Sequence, residues 1–218
     1  MIYAYKNVLS IVAHYDLKPC PIFKKYKHND TIIRLKISII KNAKTILSAD
    51  GGANKLNRLE FLPNLILGDL DSITPNQFKC DIIELKDQSK TDLQKSLDWC
   101  SENGIMEMSL VGFSGEQDDH WMAALWTLIT YFEKMNLTFY SNTSKIVCVN
   151  GESKFDSFIG QTISIIPPRE NIEISTDGLK YHLSKSILKP PSFSTRNEAI
   201  RNSFSIQSNG PVWVFLNY

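Results

Sequence analysis

The feature that most restricts the fold of this sequence is a regular alternation of strand-like and helix-like segments, which stops near residue 143. Parallel strands need long connections, usually helices, so this alternation predicts a doubly wound, mostly parallel α/β domain over residues 1–143. The strand-like segments are VLSIVAH, TILSAD, LILG, IIELKDQ and MEMSLVGF, and the helix-like segments are TIIRLKISIIKNA, GGANKLNRL, TDLQKSLDWCSENG and HWMAALWTLITYFEKM.

The helix-like segments carry local signals for their ends and faces. Thr31 and Thr91 are the residue type that caps a helix N-terminus, and Gly104 is suited to a helix C-terminus. In the first helix, Ile33, Ile37 and Ile40 recur at helical spacing and predict its buried face. We expect the last helix, HWMAALWTLITYFEKM, to be mostly buried, because it is largely apolar.

After residue 143 the helical periodicity disappears and short alternating runs take its place. Asn150–Gly151, Asp177–Gly178 and Asn209–Gly210 are turn-forming pairs, and the first of them is a strong hairpin signal. Several short strands separated by such turns are typical of an all-β sandwich or barrel. The sequence therefore predicts a C-terminal all-β sandwich over residues 144–218.

Composition limits the classes of partner. The chain has 218 residues, 43% of them hydrophobic and 22% charged, and a net charge of +1. Such a balance gives no field that would attract nucleic acid or an anionic membrane, and no apolar run is long enough to span a bilayer. Cys20, Cys80, Cys100 and Cys148 have no metal-binding spacing. We expect reduced thiols, a cytoplasmic location, and neither nucleic acid nor membrane as a partner.

Acidic residues follow several of the predicted strands. Asp50 follows TILSA, Asp69 and Asp71 follow LILG, Asp92 lies after the IIELKDQ strand, and Asp118-Asp119-His120 comes after SLVGFSG. The carboxyl ends of parallel strands share one edge, so these carboxylates are expected to converge. A carboxylate cluster without matching cations favours Mg²⁺, which is commonly held together with substrate phosphates.

Each acidic segment also has a purely structural interpretation. Asp50-Gly51-Gly52 can be a tight turn, Asp69-Leu70-Asp71 an Asx turn, and Asp92 and Asp118 helix-capping residues. Neither of the common glycine-rich phosphate-loop motifs is present. From the residues alone, the coincidence of four acidic strand ends predicts a Mg²⁺–phosphate site of unspecified reaction.

The motifs SADGGANKL, LPNLILGDLDSI, DQSKTDLQKSL, SGEQDDH, DGLKYHL and STRN occur in the order found in thiamine pyrophosphokinases. From about Lys44 to its C-terminus the chain resembles that family. The resemblance implies an N-terminal α/β domain, a C-terminal β-sandwich, and a homodimer with active sites at the interface. It also implies an ATP-dependent diphosphotransferase that uses Mg²⁺ and converts thiamine to thiamine diphosphate with release of AMP.

The resemblance assigns roles to individual residues of this sequence. For the metal it implies Asp50, Asp69, Asp71 and Asp92, and for catalysis Asp71, Asp92, Asp119 and Lys95. For ATP it implies Asp50, Gly51, Gln88 and Thr91, and for thiamine His120, Tyr181, Ser194, Thr195 and Asn197. Tyr181 stands where the family usually has Trp, and its ring can stack on the cationic ligand.

Three positions depart from the family pattern. Glu116-Gln117 replaces Gly-Arg and removes a cation expected to neutralise phosphate, Ser89 replaces an acidic residue, and Arg196 replaces a small serine. Residues 15–30 match no recognised type of segment. Two alternative functions remain open, another Mg²⁺-dependent nucleotide-using transferase and a non-catalytic thiamine- or nucleotide-binding protein.

Overall fold

A computed structural model describes residues 9–12, 28–73, 77–114, 118–189 and 194–218 of the chain. The chain divides into two compact units, Met1–Asn142 and Thr143–Tyr218. We describe each unit by itself.

The N-terminal unit alternates strands and helices, as the sequence pattern predicts. In chain order its elements are β1 (Leu9–Val12), α1 (His28–Asn42), β2 (Thr45–Ala49), α2 (Gly52–Arg58), β3 (Leu65–Gly68), β4 (Asp81–Glu84), α3 (Asp92–Glu102), β5 (Glu107–Val111), α4 (Asp118–Tyr131) and β6 (Asn136–Tyr140). None of the helices in the described ranges is long and apolar enough to cross a membrane.

The six strands in the described part of this unit are all parallel and lie in the order β6-β5-β1-β2-β3-β4. The chain builds outward from β1 to β4 and then returns to place β5 on the other side of β1. In an open parallel sheet, ligands bind beyond the carboxyl ends of the strands, near the point where the strand order reverses. The topology therefore predicts a ligand site at the carboxyl edge around β1, β2 and β5.

Helix α1 buries a face that differs from the predicted one. The fully buried residues recur every four positions at Ile32, Lys36 and Ile40, whereas Ile33 and Ile37 are only partly buried. Lys36 is 2% exposed, and its Nζ donates a hydrogen bond to Asn142 Oδ1 at 2.6 Å. The prediction is therefore confirmed at Ile40 and wrong at Ile33 and Ile37, because a lysine occupies a core position that the pattern reserves for apolar side chains.

Two of the three predicted helix-boundary signals are confirmed. Gly104 directly follows Asn103, the C-cap of α3, and has φ +74°. Thr91 caps α3 through a capping box, in which Thr91 Oγ1 accepts from Gln94 N and Gln94 Oε1 accepts from Thr91 N. Thr31 is not an N-cap, since α1 begins three residues earlier. The expectation of a mostly buried last helix was wrong, because α4 leaves Met122 and Trp126 exposed.

The C-terminal unit consists of antiparallel strands. They are β7 (Ser144–Asp156), β8 (Thr162–Ile166), β9 (Glu173–Asp177), β10 (Ser186–Ile187), β11 (Ser194–Glu198) and β12 (Ser203–Asn217). β12 pairs with β7 along almost its whole length, while its first half also pairs with β9 and its second half with β8. Both halves contribute to one apolar core that includes Ile163, Ile174, Phe204, Ile206 and Val214.

Two of the three predicted turns in this unit are wrong. Asn150–Gly151 and Asn209–Gly210 lie inside β7 and β12, where the pairing register shifts between Ser208 and Val212. Gly151 has φ +78°, which accommodates this irregularity without interrupting the strand. Long-range pairing of β7 with β12 therefore overrides the local turn signal. The third pair does end a strand, since β9 stops at Asp177.

Cys80, Cys100 and Cys148 are free thiols, and burial raises the pKa of Cys100 and of Cys148 to about 12. These values are far above the range in which a cysteine reacts as a thiolate. Cys20 and most of residues 15–30 lie outside the described residues.

Candidate active site

The carboxyl edge of the parallel sheet contains a cavity of about 260 Å³. Its walls come from the segments that follow β2, β3 and β5, from the first turn of α3 and from the first two turns of α4. The residues that line it are Ala49, Asp50, Gly51, Ser72, Thr91, Asp92, Leu93, Phe113, His120, Ala123 and Ala124. Four of the predicted ligand-binding segments therefore meet at this edge.

Three of the predicted metal ligands come together beside this cavity. Asp50, Asp69 and Asp71 each offer a carboxylate oxygen, and these oxygens lie within 4.8 Å of one another. Asp50 is 5% exposed, and Asp50 Oδ1 and Asp69 Oδ1 are buried without a hydrogen-bond partner among the described residues. Buried polar atoms are nearly always paired in proteins, so two such carboxylate oxygens in one cluster are suited to binding a ligand.

The backbone around the cluster adopts conformations that bring the carboxylates together. Asp50 has φ +37° and its N–H donates to Leu67 O at 2.8 Å, which fixes the end of β2 against β3. Leu70, between the two other aspartates, has φ +68°. Non-glycine residues at positive φ are uncommon and are concentrated at functional sites.

Gly68 is a site residue that the sequence analysis missed. A Cβ at this position would lie 2.7 Å from Asp50 Cβ, closer than two carbon atoms can approach without displacement. The missing side chain therefore lets β3 end directly against Asp50. The sequence signal that could have found it is the glycine between the apolar run LIL and Asp69.

Lys95 lies among the acidic residues as a buried cation. Its side chain is 4% exposed, and its Nζ lies 3.1 Å from Asp69 Oδ2 and 2.7 Å from Asp92 Oδ1. Burial would lower the pKa of Lys95, but its hydrogen bonds to Asp92 and Asp69 outweigh this and raise it. Lys95 is therefore charged and neutralises part of the acidic cluster.

The surroundings shift the pKa values of Asp69 and Asp50 in opposite directions. The hydrogen bond from Lys95, assisted by Gln88 Nε2 at 3.3 Å, holds the pKa of Asp69 below its usual range. Burial raises the pKa of Asp50, and the nearby Asp92 and Asp71 add to the shift. A bound cation would favour the ionised form of Asp50.

The residues present fit a hard divalent cation. Mg²⁺ prefers oxygen ligands and uses one or two carboxylates together with phosphate oxygens and water. The cluster of Asp50, Asp69 and Asp71 offers such oxygens, two of them unpartnered. Asp92 is not a member of this group, and its Oδ1 lies 2.7 Å from Lys95 Nζ.

Two further predicted residues lie at the start of α4. Asp119 Oδ1 accepts from His120 N at 2.8 Å and lies 3.2 Å from His120 Nδ1. The backbone N–H of His120 is the main reason that the pKa of Asp119 is lowered. His120 lines the cavity, whereas the Asp119 side chain is 85% exposed.

Of the positions that depart from the family pattern, the structure describes Ser89 and Arg196. Ser89 donates through its N and its Oγ to Asp87 Oδ1, so it supports the loop before α3. Arg196 is exposed and has φ +56°. Glu116 and Gln117 lie outside the described residues.

The residues predicted to contact thiamine in the C-terminal unit differ in exposure. Tyr181 is 64% exposed and Thr195 is also exposed, whereas Ser194 is half-buried. Asn197 is 1% exposed, and its side chain is hydrogen-bonded to the backbone of Tyr181. Asn197 also donates to Ser194 Oγ at 3.4 Å, so it joins Tyr181 to β11.

Two family models match this chain in tandem. Residues 37–140 match "Thiamin pyrophosphokinase, catalytic domain", and residues 145–215 match "Thiamin pyrophosphokinase, substrate-binding domain". The chain belongs to the thiamin pyrophosphokinase family. A curated relative, thiamin pyrophosphokinase 1 of Caenorhabditis elegans, is 29% identical over 189 residues, which cover 78% of this chain and 77% of the relative.

Solved structures of thiamin pyrophosphokinases have a similar fold. The enzyme of Candida albicans superimposes with a TM-score of 0.78 at 17% identity, covering 96% of this chain and 88% of that one. The enzyme of Bacillus subtilis has a TM-score of 0.76 at 19% identity, covering 97% of this chain and 99% of that one. At these identities the likeness establishes the fold.

Membership of the thiamin pyrophosphokinase family determines the class of reaction. The chain is a kinase-type diphosphotransferase that transfers diphosphate from ATP to thiamine, giving thiamine diphosphate and AMP. The prediction of family, enzyme class and reaction is therefore confirmed.

Proposed function

We propose that the acidic cluster at the carboxyl edge of the N-terminal unit binds Mg²⁺ and the phosphates of ATP during diphosphate transfer to thiamine. The observation that carries this proposal is the pair of buried, unpartnered oxygens on Asp50 and Asp69. In a thiamin pyrophosphokinase, two such oxygens are best explained as ligands of a cation that binds together with phosphates.

The proposed metal ligands are Asp50, Asp69 and Asp71, with Asp92 beside them. When bound there, Mg²⁺ would neutralise charge on the phosphate oxygens of ATP. Gly51, Gln88 and Thr91 would contact the nucleotide, since Gly51 and Thr91 line the cavity and Gln88 reaches Asp69. Asp50 would contribute both to the metal site and to the nucleotide site.

Lys95 would orient the carboxylates and stabilise negative charge near the phosphates. It already holds Asp69 and Asp92 in the structure described here, so its charge is fixed before any ligand binds. Asp71 or Asp119 would accept the proton of the thiamine hydroxyl as its oxygen attacks the β-phosphorus and AMP leaves. Positioning and charge neutralisation would supply most of the rate acceleration.

In the N-terminal unit, His120 would contact thiamine. In the C-terminal unit, the exposed ring of Tyr181 would contact it together with Ser194 and Thr195, and Asn197 belongs to the same segment. An exposed aromatic face is suited to a flat cationic ring. We also propose a doubly wound arrangement for the N-terminal unit and a two-sheet sandwich for the C-terminal one. A homodimer with interfacial active sites is proposed on the family resemblance.

The proposed site can be tested with the purified chain, ATP, MgCl₂ and thiamine, by assaying thiamine diphosphate and AMP together. We expect equal yields of both products, abolished by EDTA. Asp71→Asn keeps the shape of the side chain but removes one charge of the cluster, so we expect turnover to fall by about a hundredfold or more.

Glu107→Gln is the matched control, because Glu107 is exposed at the amino end of β5, at the opposite edge of the sheet. Its activity should equal that of the unmodified enzyme. Near-normal turnover of Asp71→Asn would remove Asp71 from the site. Formation of ADP in place of AMP would favour a different nucleotide-using transferase, and binding of thiamine without any product would favour a non-catalytic binding protein.

A further inference from the structure

We propose that Asn197 does not contact thiamine but is a positioning residue that holds Tyr181 in place for it. This inference rests on the proposed function, in which Tyr181 stacks on the substrate. It concerns only the C-terminal unit, where every contact that carries it lies.

A bulge in β11 turns Asn197 toward the interior. Ser194 pairs with Ile165 and Asn197 with Ile163, so three steps along β11 match two along β8. The extra residue is accommodated where Arg196 has φ +56° and its N–H donates to Ser164 Oγ at 3.0 Å. Such bulges redirect side chains, and here Ser194 and Asn197 both lie opposite fully buried isoleucines.

The side-chain amide of Asn197 has no free hydrogen-bonding capacity. Oδ1 accepts from Tyr181 N at 2.9 Å and from Glu198 N at 2.9 Å. Nδ2 donates to Tyr181 O at 2.7 Å and to Ser194 Oγ at 3.4 Å. An amide has two acceptor positions and two donors, so all four are occupied.

Two of these four bonds fix the backbone of Tyr181 on both sides of its Cα. The residues just before it are held by backbone pairing, with Lys180 N donating to Glu198 O at 2.8 Å and Ile200 N to Gly178 O at 3.0 Å. At Tyr181 itself the Asn197 side chain takes the place of a neighbouring strand. The ring is 64% exposed, so its position depends on the backbone that carries it.

A direct bond from Asn197 to the aminopyrimidine would require breaking at least one bond of this buried network. The buried partner left behind would then be unsatisfied, which is costly in an interior. Holding Tyr181 requires no such change. The geometry therefore favours the indirect role, and it predicts that Asn197 acts on substrate affinity only through Tyr181.

A double-mutant cycle on the full chain separates the two roles. Asn197→Asp retains the acceptors and removes both donors, and Tyr181→Ala removes the ring. We expect each variant to weaken equilibrium binding of thiamine by about tenfold. The double variant should bind no more weakly than Tyr181→Ala alone, because the two changes remove the same contact. Asn202→Asp, an exposed asparagine of the same unit, should bind as the unmodified chain does.

The inference would be overturned if the double variant bound thiamine about a hundredfold more weakly than the unmodified chain, so that the two losses of affinity multiplied. That result would mean that Asn197 contacts the substrate independently of Tyr181. Failure of the unmodified chain to bind thiamine at all would instead overturn the proposed function and this inference with it. The two failures are therefore distinguishable in one titration series.

A measurement on the unmodified protein covers the case in which Asn197→Asp does not fold. The side-chain amide protons of Asn197 can be followed by ¹H–¹⁵N NMR as thiamine is added. We expect slow solvent exchange and little change in chemical shift on saturation, while the Tyr181 ring resonances move. Large shifts of the Asn197 side-chain amide with loss of protection of the Tyr181 N–H would overturn the inference.

Discussion

The buried lysine of α1 allows a quantitative test of the packing. Lys36 is 2% exposed, and burial lowers its pKa from 10.5 to about 8. At about 1.4 kcal/mol for each pKa unit, this difference corresponds to about 3 kcal/mol. The unfolded chain binds the proton more tightly than the folded chain, so the charged amine destabilises the fold. The full cost is present below pH 8 and disappears as the pH rises through 10.5.

Lys36→Met removes this cost and also removes the donor to Asn142 Oδ1, which is worth about 1 kcal/mol. We therefore expect the variant to be more stable than the unmodified chain by about 2 kcal/mol at pH 7. The difference should fall to near zero at pH 10, because Lys36 is then mostly neutral in the folded state and partly neutral in the unfolded state.

The measurement is urea unfolding at several pH values between 7 and 10, followed by the helical circular dichroism signal. That signal reports the N-terminal unit, because every helix of the described residues lies there. Lys41→Met is the matched control, since Lys41 is exposed on the same helix and carries no burial cost, so we expect no comparable gain in stability. A stability difference for Lys36→Met that is constant across the pH range would refute the reasoning.

Three other substitutions test the site and its supports. Gly68→Ala places a Cβ against Asp50, so the Mg²⁺ concentration for half-maximal activity should rise by about tenfold. The measurement is a titration with MgCl₂ followed by product formation. An unchanged Mg²⁺ requirement would contradict the steric argument. Thr91→Ala removes the capping box and should lower the free energy of unfolding by about 1 kcal/mol. Tyr131→Phe removes the 2.6 Å bond to Asp98 and should cost about 1 kcal/mol, with both stabilities measured by urea unfolding. Equal stability of either variant and the unmodified chain would exclude the corresponding bond as a stabilising one.

The convergence of Asp50, Asp69 and Asp71 could be predicted from the sequence because it follows from topology. Once β2 and β3 are recognised as parallel neighbours, the residues after each strand must lie at one edge. The Thr91 cap was predictable for a similar reason, since its signal and its partner Gln94 are close in sequence. Both features follow either from residues close in sequence or from the rule that the carboxyl ends of parallel strands lie at one edge of the sheet.

The features that sequence reasoning missed depend on partners distant in the chain. The partner of Lys36 is 106 residues away, and nothing near Lys36 in sequence indicates that its position is buried. Asn150–Gly151 has the composition of a turn, but pairing with β12 keeps β7 continuous. The clash that requires Gly68 arises from Asp50, on the neighbouring strand. In each case the tertiary contact outweighs the local preference.

The distribution of hydrogen bonds over the acidic cluster supports a role in binding rather than in stability. Lys95 occupies Asp69 Oδ2 and leaves Asp69 Oδ1 buried and unpartnered, as is Asp50 Oδ1. A cluster that served only the fold would gain by satisfying both oxygens, because each unpaired buried oxygen costs about 1–3 kcal/mol. The cluster is instead partly neutralised by one lysine, while two oxygens remain available. A divalent cation is the ligand that would satisfy both of them at once, and its binding should therefore stabilise the N-terminal unit as well as activate it.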